Sequence, residues 1–352
     1  MIKPENIYSK GWMTPPVIMA GMVMLLVLLF VTDILLGSVY IPFGQGIRAL
    51  FSAGQTDETI RVIIYEFRLP KAITAVITGL ALSVSGLQMQ TIFRNPLAGP
   101  YVLGISAGAS LGVALFALGF SSVLTFGIFS GVGSWSLAIV AWLGAFLVML
   151  LVLFVSVRVN DNMTILILGI LFTSAASAIV SILQYFSSEA MLKSFIVWTM
   201  GSLGSVTFQQ LKILVVATAI GLLTAFAKIK DLNAFLLGET YARSLGVSII
   251  RSRLAIFFSA SLLAGTITAF CGPIGFIGIA VPHLARVIFR TSNHLVLLPG
   301  TVLIGANMML VSDIIAQLPG LQATLPINSV TALLGIPVVI WMIIKNRKFA
   351  QV

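Results

Sequence analysis

The sequence predicts an all-α polytopic membrane protein with ten transmembrane helices. Three observations carry that expectation. Only 9% of the 352 residues are charged and 59% are hydrophobic, with a mean hydropathy of +1.11. Soluble domains carry about 25% charged residues, and one core could not hide this much apolar surface, so the solvent is lipid. From Asn95 to Val157, 63 residues pass without an Asp, Glu, Lys or Arg. One span needs about 20 apolar residues, so that run holds two or more. Residues 254–285 and 314–344 are also free of those four types.

The spans follow in order. The stretch from Val17 to Leu36 is long enough to cross and lacks a small-residue cleavage site followed by a soluble domain, so 17–36 reads as the first helix rather than a cleaved leader. The second, 69–92, follows Arg68 and ends before the Asn95-Pro96 turn. The charge-free run supplies the third and fourth, 99–119 and 135–157. Residues 164–186 and 208–227 form the fifth and sixth. The last four are 254–271, 275–290, 295–318 and 327–344. Glycines within spans, such as Gly79, Gly86, Gly144 and Gly265, let helices approach closely in lipid.

Between spans six and seven lies a polar island, residues 228–253, in which seven of 26 residues are charged (Lys228, Lys230, Asp231, Glu239, Arg243, Arg251, Arg253). It reads as two short helices. Asp231 starts the first and Gly238 ends it; Glu239 or Thr240 starts the second and Gly246 ends it. Arg243 and Tyr241 are expected to face outward. An even number of spans puts both termini on one side. If that side is cytoplasmic, the inner set is Lys3, Lys10, Arg94, Arg158, Lys228, Lys230, Arg243, Arg251, Arg253, Arg286, Arg290, Lys345, Arg347 and Lys348. The outer set is Arg48, Arg61, Arg68, Lys71, Lys193 and Lys212, giving 14 against 6. The island is therefore expected in the cytoplasm. The net charge of +10 is accounted for by this bias rather than by nucleic acid.

Two turns repeat a pattern. Gly99 opens G-P-Y-V-L-G-I and Gly272 opens G-P-I-G-F-I-G-I, 173 residues later, after spans that run in opposite directions. Inverted halves of this kind build many transport pathways.

Several function classes are excluded. There is no G-x-x-x-x-G-K-[ST] phosphate loop, no H-E-x-x-H and no G-x-S-x-G. The chain is read as having no catalytic residue, no metal site and no cofactor of its own. Cys271 is the single cysteine, so no intrachain disulfide forms. His283 follows Pro282 at an expected helix end, where it reads as a polar cap. Asp33 and Asp313 lie near predicted outer ends of spans one and nine, and no carboxylate is expected at mid-membrane, where a proton-driven carrier needs one.

Three segments resemble one family. They are R-L-P-K-A-I-T-A-V-I-T-G-L-A-L-S-V-S-G-L-Q-M-Q-T-I-F-R-N-P-L-A-G-P-Y-V-L-G-I-S-A-G-A-S-L-G from Arg68, L-G-E-T-Y-A-R-S-L-G-V at 237–247, and G-P-I-G-F-I-G-I-A-V-P-H-L-A-R at 272–286. With W-T-M-G-S-L at 198–203 and L-L-G-I-P-V-V-I-W-M at 333–342, they resemble the FecCD/BtuC-type permeases over about residues 60–345. Those are membrane subunits of binding-protein-dependent ABC importers for ferric siderophores, haem and cobalamin.

The resemblance implies a type II ABC importer permease fold with two inverted-repeat halves, in one domain spanning 1–352. It implies a homodimer in the bacterial inner membrane, two ATP-binding cassette subunits that hold ATP and Mg, and a periplasmic or lipid-anchored substrate-binding protein. It makes 228–253 the coupling segment, with Leu237, Gly238, Glu239, Ala242, Arg243, Leu245 and Gly246 in its ATPase-docking motif. It places binding-protein docking at Arg68 and Lys71, and the cytoplasmic gate at Asn95 and Leu97. Arg68 and Lys71 flank Leu69-Pro70, where the plain alternative is snorkelling at the interface. The chain departs from the family pattern at Lys71, the second of the matching basic pair, at Gln317, where the cobalamin permease has an arginine, and at Thr324 and Asn328 in T-L-P-I-N. Two other readings are an ion-coupled secondary transporter and an export permease or scaffold of an ABC complex.

Overall fold

The computed structural model of the chain describes residues 14–37, 39, 41–51, 57–119, 135–159, 161–317 and 324–345. The inner-set charges Lys3, Lys10, Arg347 and Lys348, and the last residue of the ninth expected span, lie outside them. Among the described residues, eight helices are long and apolar enough to cross a membrane: Pro15–Leu35, Glu58–Ile92, Trp135–Arg158, Met163–Phe186, Phe208–Ala227, Ile249–Cys271, His294–Ala316 and Ile327–Ile344. Two shorter apolar helices, Ile105–Gly119 and Ile277–Phe289, fall at the places of the third and eighth expected spans. The all-helical, ten-segment fold therefore agrees with the sequence reading.

The elements are α1 (Pro15–Leu35), α2 (Phe43–Phe51), α3 (Glu58–Val62), α4 (Leu69–Ile92), α5 (Ile105–Ala114), α6 (Trp135–Arg158), α7 (Asn162–Phe186) and α8 (Glu189–Thr199). They continue with α9 (Phe208–Ala227), α10 (Ile229–Leu236), α11 (Glu239–Ser244), α12 (Ile249–Cys271), α13 (Ile277–Phe289), α14 (His294–Ala316) and α15 (Ile327–Lys345). A π-helical stretch, Ile63–Arg68, joins α3 to α4 without a break, so the second span extends eleven residues beyond its expected start. The third starts six residues late, because 99–104 is a turn ending at Gly104 with φ +79°. The seventh begins at Ile249, which brings Arg251 and Arg253 inside the helix.

Helices α4, α12 and α14 form the centre, and α1, α7 and α15 the largely exposed periphery. α4 is the axle. A Cβ on Gly79 would overlap the Gly305 carbonyl of α14, and one on Gly86 would overlap the Gly278 carbonyl of α13. Helices gain no hydrophobic drive against lipid, so this backbone-to-backbone approach is how they bind each other. The two repeated Gly-Pro turns meet here. Pro100 lies against Gly278, and the Tyr101 hydroxyl accepts from the Ile274 N–H at 3.3 Å. Non-helical backbone at this depth survives because protein covers it and satisfies its polar groups.

Candidate functional site: the two polar ends of the bundle

The island folds as α10 and α11, a helix pair joined at Gly238. That glycine has φ +101° and ψ 159°, a conformation essentially confined to glycine. α10 starts two residues before Asp231, which sits in its first turn, where a carboxylate meets the positive helix end. α11 closes at Gly246, φ +84°, with the Gly246 N–H on the Arg243 carbonyl and the Val247 N–H on that of Ala242, both at 3.0 Å. Leu237, Tyr241 and Leu245, spaced by four, are each at least 60% exposed, and Arg243 is exposed beside them. Ala242 is buried, and Glu239 points inward. The named segment thus divides into an outward apolar stripe and an inward anchor.

Among the described residues, three side-chain ties hold the anchor. The Asp231 carboxylate accepts from Lys228 at 2.9 Å and from Ser252 of α12 at 2.6 Å. The Asn233 Oδ1 accepts the His294 N–H at 2.8 Å and lies 2.8 Å from its Nδ1, while Nε2 lies 2.9 Å from Thr91 of α4. Glu239 pairs with buried Arg253 at 2.6 Å. Arg253 also donates to the Val159 carbonyl at 3.1 Å, just past the end of α6. Two residues on, exposed Asp161 caps α7 through the N–H groups of Met163 and Thr164 and the Thr164 hydroxyl. Those bonds, Thr164 first, hold its carboxyl below the usual carboxylate range.

Asn95 and Leu97 lie at this same end. Asn95 Oδ1 accepts the Leu97 N–H at 2.9 Å, a local turn that follows Arg94 in a left-handed conformation, φ +47°. Leu97 is 44% exposed and borders a cavity of about 310 Å³ between the Gly99 turn, α7 and Phe276. Nearby, a cavity of about 400 Å³ between α5 and α7 is lined by hydroxyls, among them Ser106, Ser110, Thr173, Ser177 and Ser181. His283 lies within α13, not at its end, and its ring meets Trp341 edge-on at 6.2 Å, so it is no cap.

At the far end, the structure contradicts the plain alternative for Arg68 and Lys71, snorkelling at the interface. Neither snorkels. Arg68 is 8% exposed and donates to the carbonyls of Ile34, Leu35 and Val39, so it holds the end of α1 and the chain after it. Lys71 pairs with Asp313 at 2.9 Å and donates to Gln317 Oε1 at 2.8 Å. The Gln317 amide in turn donates to Asp33 at 2.7 Å. Gln317 thus bridges a lysine and a carboxylate. Asn328, another departure, accepts the Gly275 N–H at 2.9 Å and donates its own N–H to the Met200 carbonyl. Arg68, Lys71, Asp313, Gln317 and Thr324 line one side of a cavity of about 610 Å³. The sequence separations, 246 residues from Lys71 to Gln317 and 284 from Gln317 to Asp33, left this cluster invisible before the fold was known.

Known proteins resemble this chain. The sequence pattern of the FecCD transport family matches residues 25–345. The vitamin B12 import system permease protein BtuC of Klebsiella pneumoniae is 34% identical over 327 residues, 93% of each chain. The hemin transport system permease protein HmuU of Yersinia pestis is 34% identical over 344 residues, 96% of this chain and 98% of the relative. A solved inward-facing structure of a metal-chelate type ABC transporter superposes with a TM-score of 0.79 at 29% identity, covering 94% of this chain and 100% of that one. With ten apolar helical segments among its described residues and a match running over most of its length, this multi-pass membrane chain belongs to the FecCD transport family.

Proposed function

We propose that this chain is the permease subunit of a binding-protein-dependent ABC importer that moves a bulky metal chelate, ferric siderophore, haem or cobalamin, across the bacterial inner membrane by alternating access. The carrying observation is the island: an exposed stripe of Leu237, Tyr241 and Leu245 with Arg243, set on a short helix that is anchored inward. An apolar face rimmed by charge and held rigidly is what a soluble partner grips. With no phosphate loop in this chain, that partner supplies ATP and Mg on its own sites. Two copies of the chain enclose the path, both termini and the island lie in the cytoplasm, and Asn95 and Leu97 close the inner mouth. The soluble binding protein docks at the far end, on the rim of the 610 Å³ cavity. Lys71 and Arg68 both line it, and Arg68 also holds the end of α1 beside it. The binding protein selects the substrate, so the path needs few specific groups, and hydroxyls suit a large chelate with a mixed polar surface.

The test is recruitment. Tagged protein, expressed with the ATPase and binding-protein subunits of its system, is expected to retain the ATPase through purification. Leu245→Asp, on the exposed stripe, is expected to abolish that retention without lowering the yield of the chain. Equal retention by the variant would remove the island's role.

One observation favours ion coupling instead: Asp33 and Asp313 are both buried. Both lie within a turn of a helix end, and Asp313 is already paired with Lys71. ATP-driven uptake that survives collapse of the proton and sodium gradients would set this reading aside.

A further inference from the structure

We infer that Arg253 is the positioning residue through which displacement of α11 reaches the junction of α6 and α7. This rests on the reading of residues 228–253 as the ATPase-coupling segment. α11 is bounded by two glycines with positive φ, Gly238 and Gly246, so the chain on either side of it is a poor lever. Beside the chain itself, α11 is tied to the bundle through side-chain contacts. The shortest charged one is Glu239 to Arg253, at 2.6 Å.

Arg253 is suited to pass a displacement of α11 on. It is 1% exposed, and α12 holds it inside the bundle. Its guanidinium is a rigid planar fork that can grip two acceptors at a fixed angle, which an ammonium cannot do. One arm holds Glu239, the first residue of α11; the other holds the Val159 carbonyl, one residue past α6. Two residues beyond Val159, Asp161 caps α7 with its carboxylate. A buried arginine is costly once a partner leaves, so the pair moves together rather than separating. The other two ties run elsewhere, from Asp231 to α12 and from Asn233 to α14 and α4. Arg253 alone among these three ties reaches the α6–α7 junction. Beyond that junction α7 forms a wall of the hydroxyl-lined cavity.

The test uses the full complex with its ATPase and needs no transported substrate. An environment-sensitive fluorophore is placed on Thr240→Cys in α11 or on Met163→Cys in α7, both exposed positions; the native Cys271 is buried and stays unlabelled. Nucleotide-free and ADP-vanadate-trapped complexes are compared. Both probes are expected to respond in the parent protein. In Glu239→Gln and Arg253→Ala the Thr240 probe is expected to keep its response while the Met163 probe loses it, and Arg253→Lys is expected to restore it only in part. Glu239 is partly exposed, so its variant tests the tie even if Arg253→Ala does not fold. A Met163 response of parental size in Glu239→Gln overturns the inference and leaves the coupling reading standing. A silent Thr240 probe in the parent overturns the coupling reading, and the inference with it.

Discussion

At the scale of single residues, the Lys71–Asp313 pair shows how burial sets the value of a charge. Asp313 is 1% exposed and the Lys71 side chain 18%. Removing one partner of such a pair leaves the other charge stranded, at a cost of about 3–5 kcal/mol when fully buried. Lys71→Met is therefore expected to lower stability by roughly 3 kcal/mol, the lower end of that range because Lys71 keeps some water. Lys71→Met combined with Asp313→Leu is expected to recover much of the loss. Thermal unfolding midpoints in one detergent check both, and a double variant no better than the single would mean the lysine acts through other contacts. None of this was legible in the sequence. Asp33 and Asp313 read as two separate carboxylates near helix ends, and Gln317 as a missing charge. Their meaning is a product of α1, α4 and α14 converging, which no local pattern encodes. Glu239 was legible as a member of a motif, but its partner Arg253 read only as one more inner charge.

At the scale of elements, the long helices were legible because lipid imposes a single length and composition on each span. What escaped were pieces shorter than a span. α8 carries Glu189 and Lys193 within eleven residues and reads as loop, and the nine-residue α2 has no span-length apolar run around it. The late start of α5 follows from Gly104, whose positive φ ends the turn rather than starting the helix at Gly99. Two glycines carry element-scale predictions. Gly238→Ala meets only Arg94 Nη1, 3.5 Å from the added carbon, so there is room for it. The cost is in the backbone, about 1–3 kcal/mol for holding alanine in a glycine-only conformation. The α10–α11 joint is expected to rearrange, lowering ATPase retention while the chain's own yield holds; retention equal to the parent would show that the joint tolerates other geometries. Gly86→Val differs, because its side chain would enter the Gly278 backbone at the α4–α13 crossing. It is expected to cut the yield of monodisperse protein sharply, and a normal elution profile would contradict the close approach.

At the scale of the whole molecule, orientation follows from charge, and one cysteine makes it measurable. The inner and outer sets differ as 14 to 6, so the positive-inside rule predicts that the island lies in the cytoplasm. The fold places five members of those sets: Arg94, Arg253 and Arg286 stand with the island's ties, Arg68 and Lys71 with the opposite cavity. Because the helices between are continuous, a charge census on one end fixes the other. Cys271 is 2% exposed, so single introduced cysteines can be read against a quiet background. Arg251→Cys, exposed at the start of α12, is expected to resist a membrane-impermeant maleimide in intact cells and to react once the membrane is opened. Lys193→Cys, exposed on α8, is expected to react in cells whose inner membrane is sealed. The reverse pattern would place the island outside, beyond reach of any cytoplasmic ATPase, and would overturn the importer reading at its root.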